Sequence, residues 1–331
     1  MERPFSDETP VFVSSHDIET LLATIARRST NSNAGIFGLD SMSWKINRES
    51  ALFLGAGRAA LLQLAHPWVA TALVQHSSLL SKPIARFHNT FRIVFTMVFG
   101  SLDQALAAAR HLYALHTRIR GQMPHDVAAY KQGSHYEANE IDALRWVFAT
   151  LVESAVLAYE CAMPPLSPAE RDQYYDESKT LAGLFGIPPH ALPSDWDAFV
   201  AYNQRMHQSD ALGVTPAARS MAQNLLAGAG SWIHPPHWYR ALTASWIPPR
   251  FRAEFALEFG VEEQRAVERV RRRLPSIYHA LPSAMRFVAP WHEARARLRN
   301  RPANPLVRLG NRFWIGQPLL PFCTGQYEER Q

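Results

Sequence analysis

The segment from Glu137 to Met163 constrains this chain more than any other. It reads as one long helix with apolar residues on more than one side, among them Leu144, Trp146, Val147, Leu151, Val152 and Val156. A helix resting on a single surface needs only one apolar stripe, so this pattern predicts burial at the centre of a bundle. The rest of the chain can supply that bundle. Helical periodicity recurs almost throughout, no period-2 strand stands out, and no internal repeat of roughly twenty to fifty residues appears.

Turn and capping residues mark the joints. Ser15-His16-Asp17 opens a helix to about Arg28, and Ser29 to Gly38 is a loop. A helix from Asn47 passes through Gly55, Gly57 and Arg58 to Leu64 and stops before His66, because Pro67 disfavours helical geometry there. Pro67 and Pro83 suit the first turns of helices reaching His76 and running from Ile84 to Val98. Ser101-Leu102-Asp103 caps a helix to about Arg120, and Gly121 to Tyr136 is a polar loop. Ser167-Pro168-Ala169-Glu170 is a capping-box start, and Ser194-Asp195 and Thr215-Pro216 open two more helices. Three follow, from Pro236, Arg250 and Glu262, the last interrupted at Pro275. The final thirty residues, with Pro302, Pro305, Pro318 and Pro321, read as extended. Their Phe313, Trp314, Leu319, Leu320 and Phe322 are expected to pack across the domain. The expected fold class is all-α: an orthogonal bundle of globin-like, multi-helix complexity with about twelve helices. Its parts are an N-terminal helix and loop (1–46), a main domain (47–290) and an extended tail packed on it (291–331).

Composition excludes several function classes. With 331 residues, 47% hydrophobic and 19% charged, the chain can bury a large core. The net charge of +5 suits an anionic cofactor group or loose, peripheral contact with an acidic membrane surface, but it is too diffuse for nucleic acid. Arg269, Arg271, Arg272 and Arg273 alternate with Val267 and Val270, the pattern of a solvated helix face. Two cysteines, Cys161 and Cys323, make no disulfide framework, and no CxxC, CxxCH or zinc spacing occurs. The N-terminus carries Glu2, Asp7 and Glu8 without an apolar core, and no run of eighteen apolar residues exists, so a cytoplasmic location is expected. His-Glu-x-x-His, Gly-x-Ser-x-Gly and paired Glu-x-x-His motifs are absent. His234 and His237 flank two prolines with no adjoining carboxylate, a poor metal site.

The stretch from Arg86 to His116 is where chemistry concentrates. Arg86 and Thr90, four apart, share one helix face, and the next predicted helix carries His111 and His116. Taken alone, His116 reads first as a core histidine bonded to a carbonyl, while Arg86 is equally a surface ion-pair former and Thr90 equally a hydroxyl bonded to its own helix.

Several motifs in order resemble the catalytic domain of latex-clearing proteins (rubber oxygenases) and fungal mpaB-type oxygenases. They are Gly55-Ala56-Gly57-Arg58 through His66-Pro67, Arg86-x-x-Asn89-Thr90, Val98-Phe99-Gly100, Leu115-His116-x-x-Ile119-x-Gly121, Trp146 through Ser154, Tyr159-Glu160, Leu166 through Tyr175 and Pro248-Pro249-Arg250. The match spans about residues 50–290. The resemblance implies an all-α fold enclosing a haem b pocket, and an iron-dependent oxygenase that uses O2 on an apolar, alkene-containing substrate. It implies His116 as the iron ligand, His111 being the fallback, with Tyr113 beside the haem; Phe148 borders it or, as favoured here, is plain core packing, His66 meets a propionate or caps a helix terminus, and Arg58 binds a propionate or Glu153. It implies Arg86, Asn89, Thr90 and Thr150 as the residues around dioxygen and substrate. Two positions depart from the pattern. Rubber oxygenases carry Lys where this chain has Asn89, and the commonest bacterial motif has His where this chain has Phe148. Those departures keep open a non-catalytic haem or lipid-like-ligand binding protein, or a helical scaffold without cofactor. Glu153 follows Thr150 by three residues and is expected to pair with Arg58. Gly55 and Gly57 are expected to allow close helix approach rather than to cradle phosphate.

Overall fold

The first helix begins where a serine can close its open end. Ser14 accepts from the Asp17 amide while Asp17 accepts from the Ser14 amide, and α1 (Ser15–Arg28) follows. The computed structural model describes residues 10–76, 83–230 and 234–321. Phe322, Cys323 and the acidic N-terminal residues Glu2, Asp7 and Glu8 lie outside them.

A short helix α2 (Met42–Asn47) and a 3-10 turn (Ser50–Gly55) precede α3 (Ala56–Leu64). The single helix expected from Asn47 to Leu64 is therefore split. Proline starts α4 (Pro67–His76) and α5 (Pro83–Phe99) where expected. A Ser101–Gln104 capping box starts α6 (Leu102–His116), which ends four residues before the expected Arg120. There the chain turns into a strand, β1 (Arg120–Gln122), paired antiparallel with β2 (His135–Glu137). The segment expected to be a loop is thus a hairpin. Its buried Tyr136 and Met123 pack on Trp68 of α4, a tertiary contact that three-residue strands need in order to persist.

The central helix is α7 (Ile141–Ala162), buried on several sides as expected. Around it lie α8 (Pro168–Leu184), α9 (Trp196–Gln208), α10 (Pro216–Ala227), α11 (His237–Trp246) and α12 (Pro249–Glu254). Next comes α13 (Val261–Ala280), which carries Pro275 inside it rather than stopping there. The arginines at 269, 271, 272 and 273 are exposed, as a solvated face requires.

The C-terminal segment corrects the expectation of an extended tail. It forms α14 (Ser283–Arg286), α15 (Ala289–Leu298) and α16 (Pro305–Ile315). Pro305 sits at the first turn of α16 behind the Asn304 cap, and Gly316 ends it in a left-handed conformation at φ 71°. Trp291, Ile315 and Leu320 join Trp44, Phe95 and Phe99 in one core cluster, so the segment does pack on the domain. Phe313, however, faces outward, and Trp314 stacks on Phe53 at 4.3 Å. The fold is all-α apart from the hairpin.

Close approach of α3 to its neighbours rests on glycine. A Cβ on Gly55 would lie 2.5 Å from the Ser154 carbonyl of α7, and one on Gly57 2.7 Å from Thr243 Oγ1 of α11. This is the helix contact expected for the pair.

Candidate functional site

α6 ends on His116, and its surroundings decide its chemistry. The imidazole is half-buried. Its pKa falls to about 4: burial is the largest cause, the nearby charge of Arg86 adds to it, and a hydrogen bond to the Asn139 side chain opposes both. The ring is therefore neutral at pH 7. A neutral imidazole keeps a lone pair on one ring nitrogen, the form that a metal needs.

Asn139 is buried and lies between β2 and α7. Ala138 N–H donates to Ile119 O at 2.9 Å, and Val13 N–H donates to Asn139 O at 2.9 Å. Asn139 Nδ2 reaches Tyr113 O at 3.5 Å, so the amide lies over the last turn of α6, where Tyr113 and His116 are neighbours. Sequence reasoning missed Asn139 because it lies just ahead of the helix, where it carries no periodic signal.

Arg86, Asn89 and Thr90 lie together on the first half of α5, exposed, with Arg86 and Thr90 on the face expected. Arg86 retains solvent contact, yet protein packed around it lowers its pKa. Asn89 Oδ1 accepts a hydrogen bond from Arg92. The structure thus brings Arg86 and His116 together from two successive helices. Tyr113 is half-buried one turn before His116, and His111 is half-buried on the same helix.

The other expected residues are interior. Thr150 is buried on α7, donates to Val147 O at 2.7 Å and accepts from Gln63 Nε2 at 3.0 Å. Phe148 is a core residue, 2% exposed. His66 is fully buried between α3 and α4, with Nε2 3.3 Å from the Tyr130 hydroxyl and Nδ1 without a hydrogen-bond partner. Burial pushes its pKa down to about 3. Tyr130 lies in the segment expected to be a plain loop, and only the fold delivers it to His66.

Arg58 is engaged by protein. It is 3% exposed, donates to Trp246 O at 3.1 Å and Ser154 Oγ at 2.9 Å, and pairs with Glu153 as expected. It stands near the start of α3, about 12 Å along the helix axis from His66 at the other end. The two do not converge.

His207 of α9 is a further interior imidazole. Its ring lies 5.7 Å from that of Trp146, its Nε2 has no hydrogen-bond partner, and burial lowers its pKa to about 4. No group of three or more His, Cys, Asp or Glu side chains that could hold a metal ion occurs among the described residues. Two surface grooves, of about 410 and 470 Å³, lie at Arg48–Trp291–Arg299 and at Trp238–Arg273–Ile277, away from all of these residues. No helix among the described residues is long and apolar enough to cross a membrane.

Residues 44–276 match the family model described as ER-bound oxygenase mpaB/B'/rubber oxygenase, catalytic domain. Two curated relatives are uncharacterized proteins of Mycobacterium bovis and Mycobacterium tuberculosis. Each is 24% identical over 220 residues, covering 63% of this chain and 81% of the relative. No solved structure matches the chain. The matched segment contains α3 through α12 with every site residue described above, and the chain belongs to the mpaB/rubber-oxygenase catalytic-domain family.

Proposed function

We propose that this protein is a haem b-dependent oxygenase that acts on an apolar, alkene-containing substrate with O2. The observation that carries this reading is the neutral His116 imidazole, held neutral by burial and by the nearby charge of Arg86, inside an oxygenase catalytic domain. A neutral imidazole is the form in which histidine binds iron. Haem b bound there would supply the redox chemistry that activates O2.

The chain's own residues have distinct tasks in this scheme. His116 would hold the iron, with the buried Asn139 amide as a polar neighbour of the last turn of α6. Arg86 and Thr90, on one face of α5, offer hydrogen-bond donors to charge that develops near the iron. Tyr113, half-buried one turn before His116, would favour an apolar substrate, while Phe87 and Phe91 of α5 pack on Phe53. Asn89 offers a neutral amide where rubber oxygenases carry Lys, so it brings no charge to the site. His66, Phe148, Thr150 and Arg58 support the helices behind it, Arg58 through its pairing with Glu153.

Purified protein supplemented with haem tests the reading by its absorbance spectrum. A Soret band is expected, lost in His116→Ala and kept in His111→Ala. Absence of the band, or its survival in His116→Ala, overturns the proposal. Oxygen uptake with alkene-containing substrates separates catalysis from the second reading, a non-catalytic haem-binding protein, which the neutral, exposed Asn89 favours.

A further inference from the structure

α16 turns apolar side chains outward. Leu306 is 78% exposed, Leu309 62% and Phe313 52%, at the spacing i, i+3, i+7 that aligns them in one stripe. The opposite face is anchored: Asn311 and Ile315 are buried, and Trp314 stacks on Phe53. The helix is therefore held in place with its apolar stripe facing solvent. Arg312 borders the stripe on one side and Arg308 lies further round on that same side, both exposed. Across residues 294–321 there are six arginines and no Asp or Glu.

We propose that α16 is an interfacial helix that docks the protein on a bilayer containing anionic lipid. An apolar stripe with arginines along one side matches such a surface in both of its layers: the stripe enters the acyl boundary and the guanidinium groups meet the phosphates. A protein partner fits less well. Three side chains on one helix expose far less than the ~800 Å² per partner that a stable interface buries. A segment without carboxylates is also better suited to a uniformly anionic surface than to a mixed protein one.

The docked orientation has a consequence for the rest of the fold. His88 Nε2 donates to the Phe313 carbonyl at 2.9 Å, joining the exposed helix directly to the first half of α5. Arg86, Asn89 and Thr90 lie within a turn of that contact. A bilayer under α16 therefore lies beside the outer end of α5, where a lipid-soluble substrate would arrive. The docking proposal itself needs no haem and stands apart from the oxygenase reading.

Co-sedimentation of the full chain with vesicles tests it, using phosphatidylcholine alone or mixed with phosphatidylglycerol. Binding is expected only to the mixed vesicles and is expected to weaken with salt. The combined Leu306→Ser, Leu309→Ser and Phe313→Ser variant is expected to bind at least tenfold more weakly. Arg308→Gln with Arg312→Gln is expected to bind severalfold more weakly and with a flatter salt dependence. Val261→Ser, which alters an exposed apolar residue on α13, is expected to bind as the parent does. Circular dichroism checks that each variant keeps its helices. Three results overturn the proposal: no binding to the mixed vesicles, undiminished binding by the folded triple-serine variant, or a parent dimer that the triple-serine variant splits. The last would make a second copy of the chain the occupant.

Discussion

The side-chain amide of Asn139 donates to the Tyr113 carbonyl in the last turn of α6, across twenty-six residues of chain. The hairpin between them brings the two together, with Ala138 tied to Ile119 at 2.9 Å. α6 supplies the imidazole of His116, and the connection that follows places a buried amide beside that last turn.

Asn139→Ala tests that relationship. Without the amide the last turn of α6 loses its buried polar neighbour, while the residues on α5 remain. Haem affinity is expected to fall roughly 10- to 100-fold, the range found when an outer partner of a metal-bound histidine is removed. Haem titration followed by absorbance measures it.

Acid and base weaken the fold through different groups. His66 is fully buried and its pKa is about 3 in the folded chain, below its usual value. Its contribution is complete above about pH 6.5 and is lost as pH falls towards 3, because the unfolded chain takes up the proton first. Glu140 caps α7 from a buried position, and burial raises its pKa to about 7. Its contribution is complete below about pH 4.3 and is lost as pH rises through 7. Urea-denaturation midpoints measured against pH are expected to fall on both sides of a maximum. His66→Asn should flatten the acid limb and Glu140→Gln the other, each by a few kcal/mol.

Removing the Arg58 guanidinium is expected to be costly. Arg58→Ala would leave Glu153 without its cation, and Ser154 and the Trp246 carbonyl without a donor. A loss of about 3–5 kcal/mol is expected in a denaturant titration. Glu153 is less buried, at 21% exposed, so Glu153→Gln should cost less.

The approach of the Ser50–Gly55 turn to α7 leaves no room for a methyl group. A Cβ on Gly55 would meet the backbone carbonyl of Ser154 at 2.5 Å, which cannot rotate aside as a side chain could. Gly55→Ala is expected to lower stability by about 1–3 kcal/mol through overpacking. Thermal or urea unfolding measures it. Gly133→Ala provides a contrast, because nothing lies within 4 Å of its added methyl and only the positive φ of 80° opposes it.

Local chemistry made most of this fold legible in the sequence. Proline at first turns, serine and aspartate caps and the apolar surface of α7 act within a few residues of one another, so they can be read in order along the chain. The same is true of the Arg86–Thr90 face. Gly55, Gly57 and the Arg58–Glu153 pair were legible for another reason: a small residue or a buried charge within an apolar helix demands a specific neighbour. The tertiary structure decided what locality could not. Pro302 and Pro305 read as breakers, yet Pro305 fits the start of a helix that the core around Trp44 and Phe95 holds in place. Pro275 reads as a stop, yet α13 continues through it where its neighbours anchor Ala266, Val267 and Tyr278. The pairing of Asn139 with the last turn of α6 and of His66 with Tyr130 depends on how a two-stranded hairpin folds back on α4 and α6. Contacts of that kind join residues far apart in the chain, and packing alone brings them within hydrogen-bond reach.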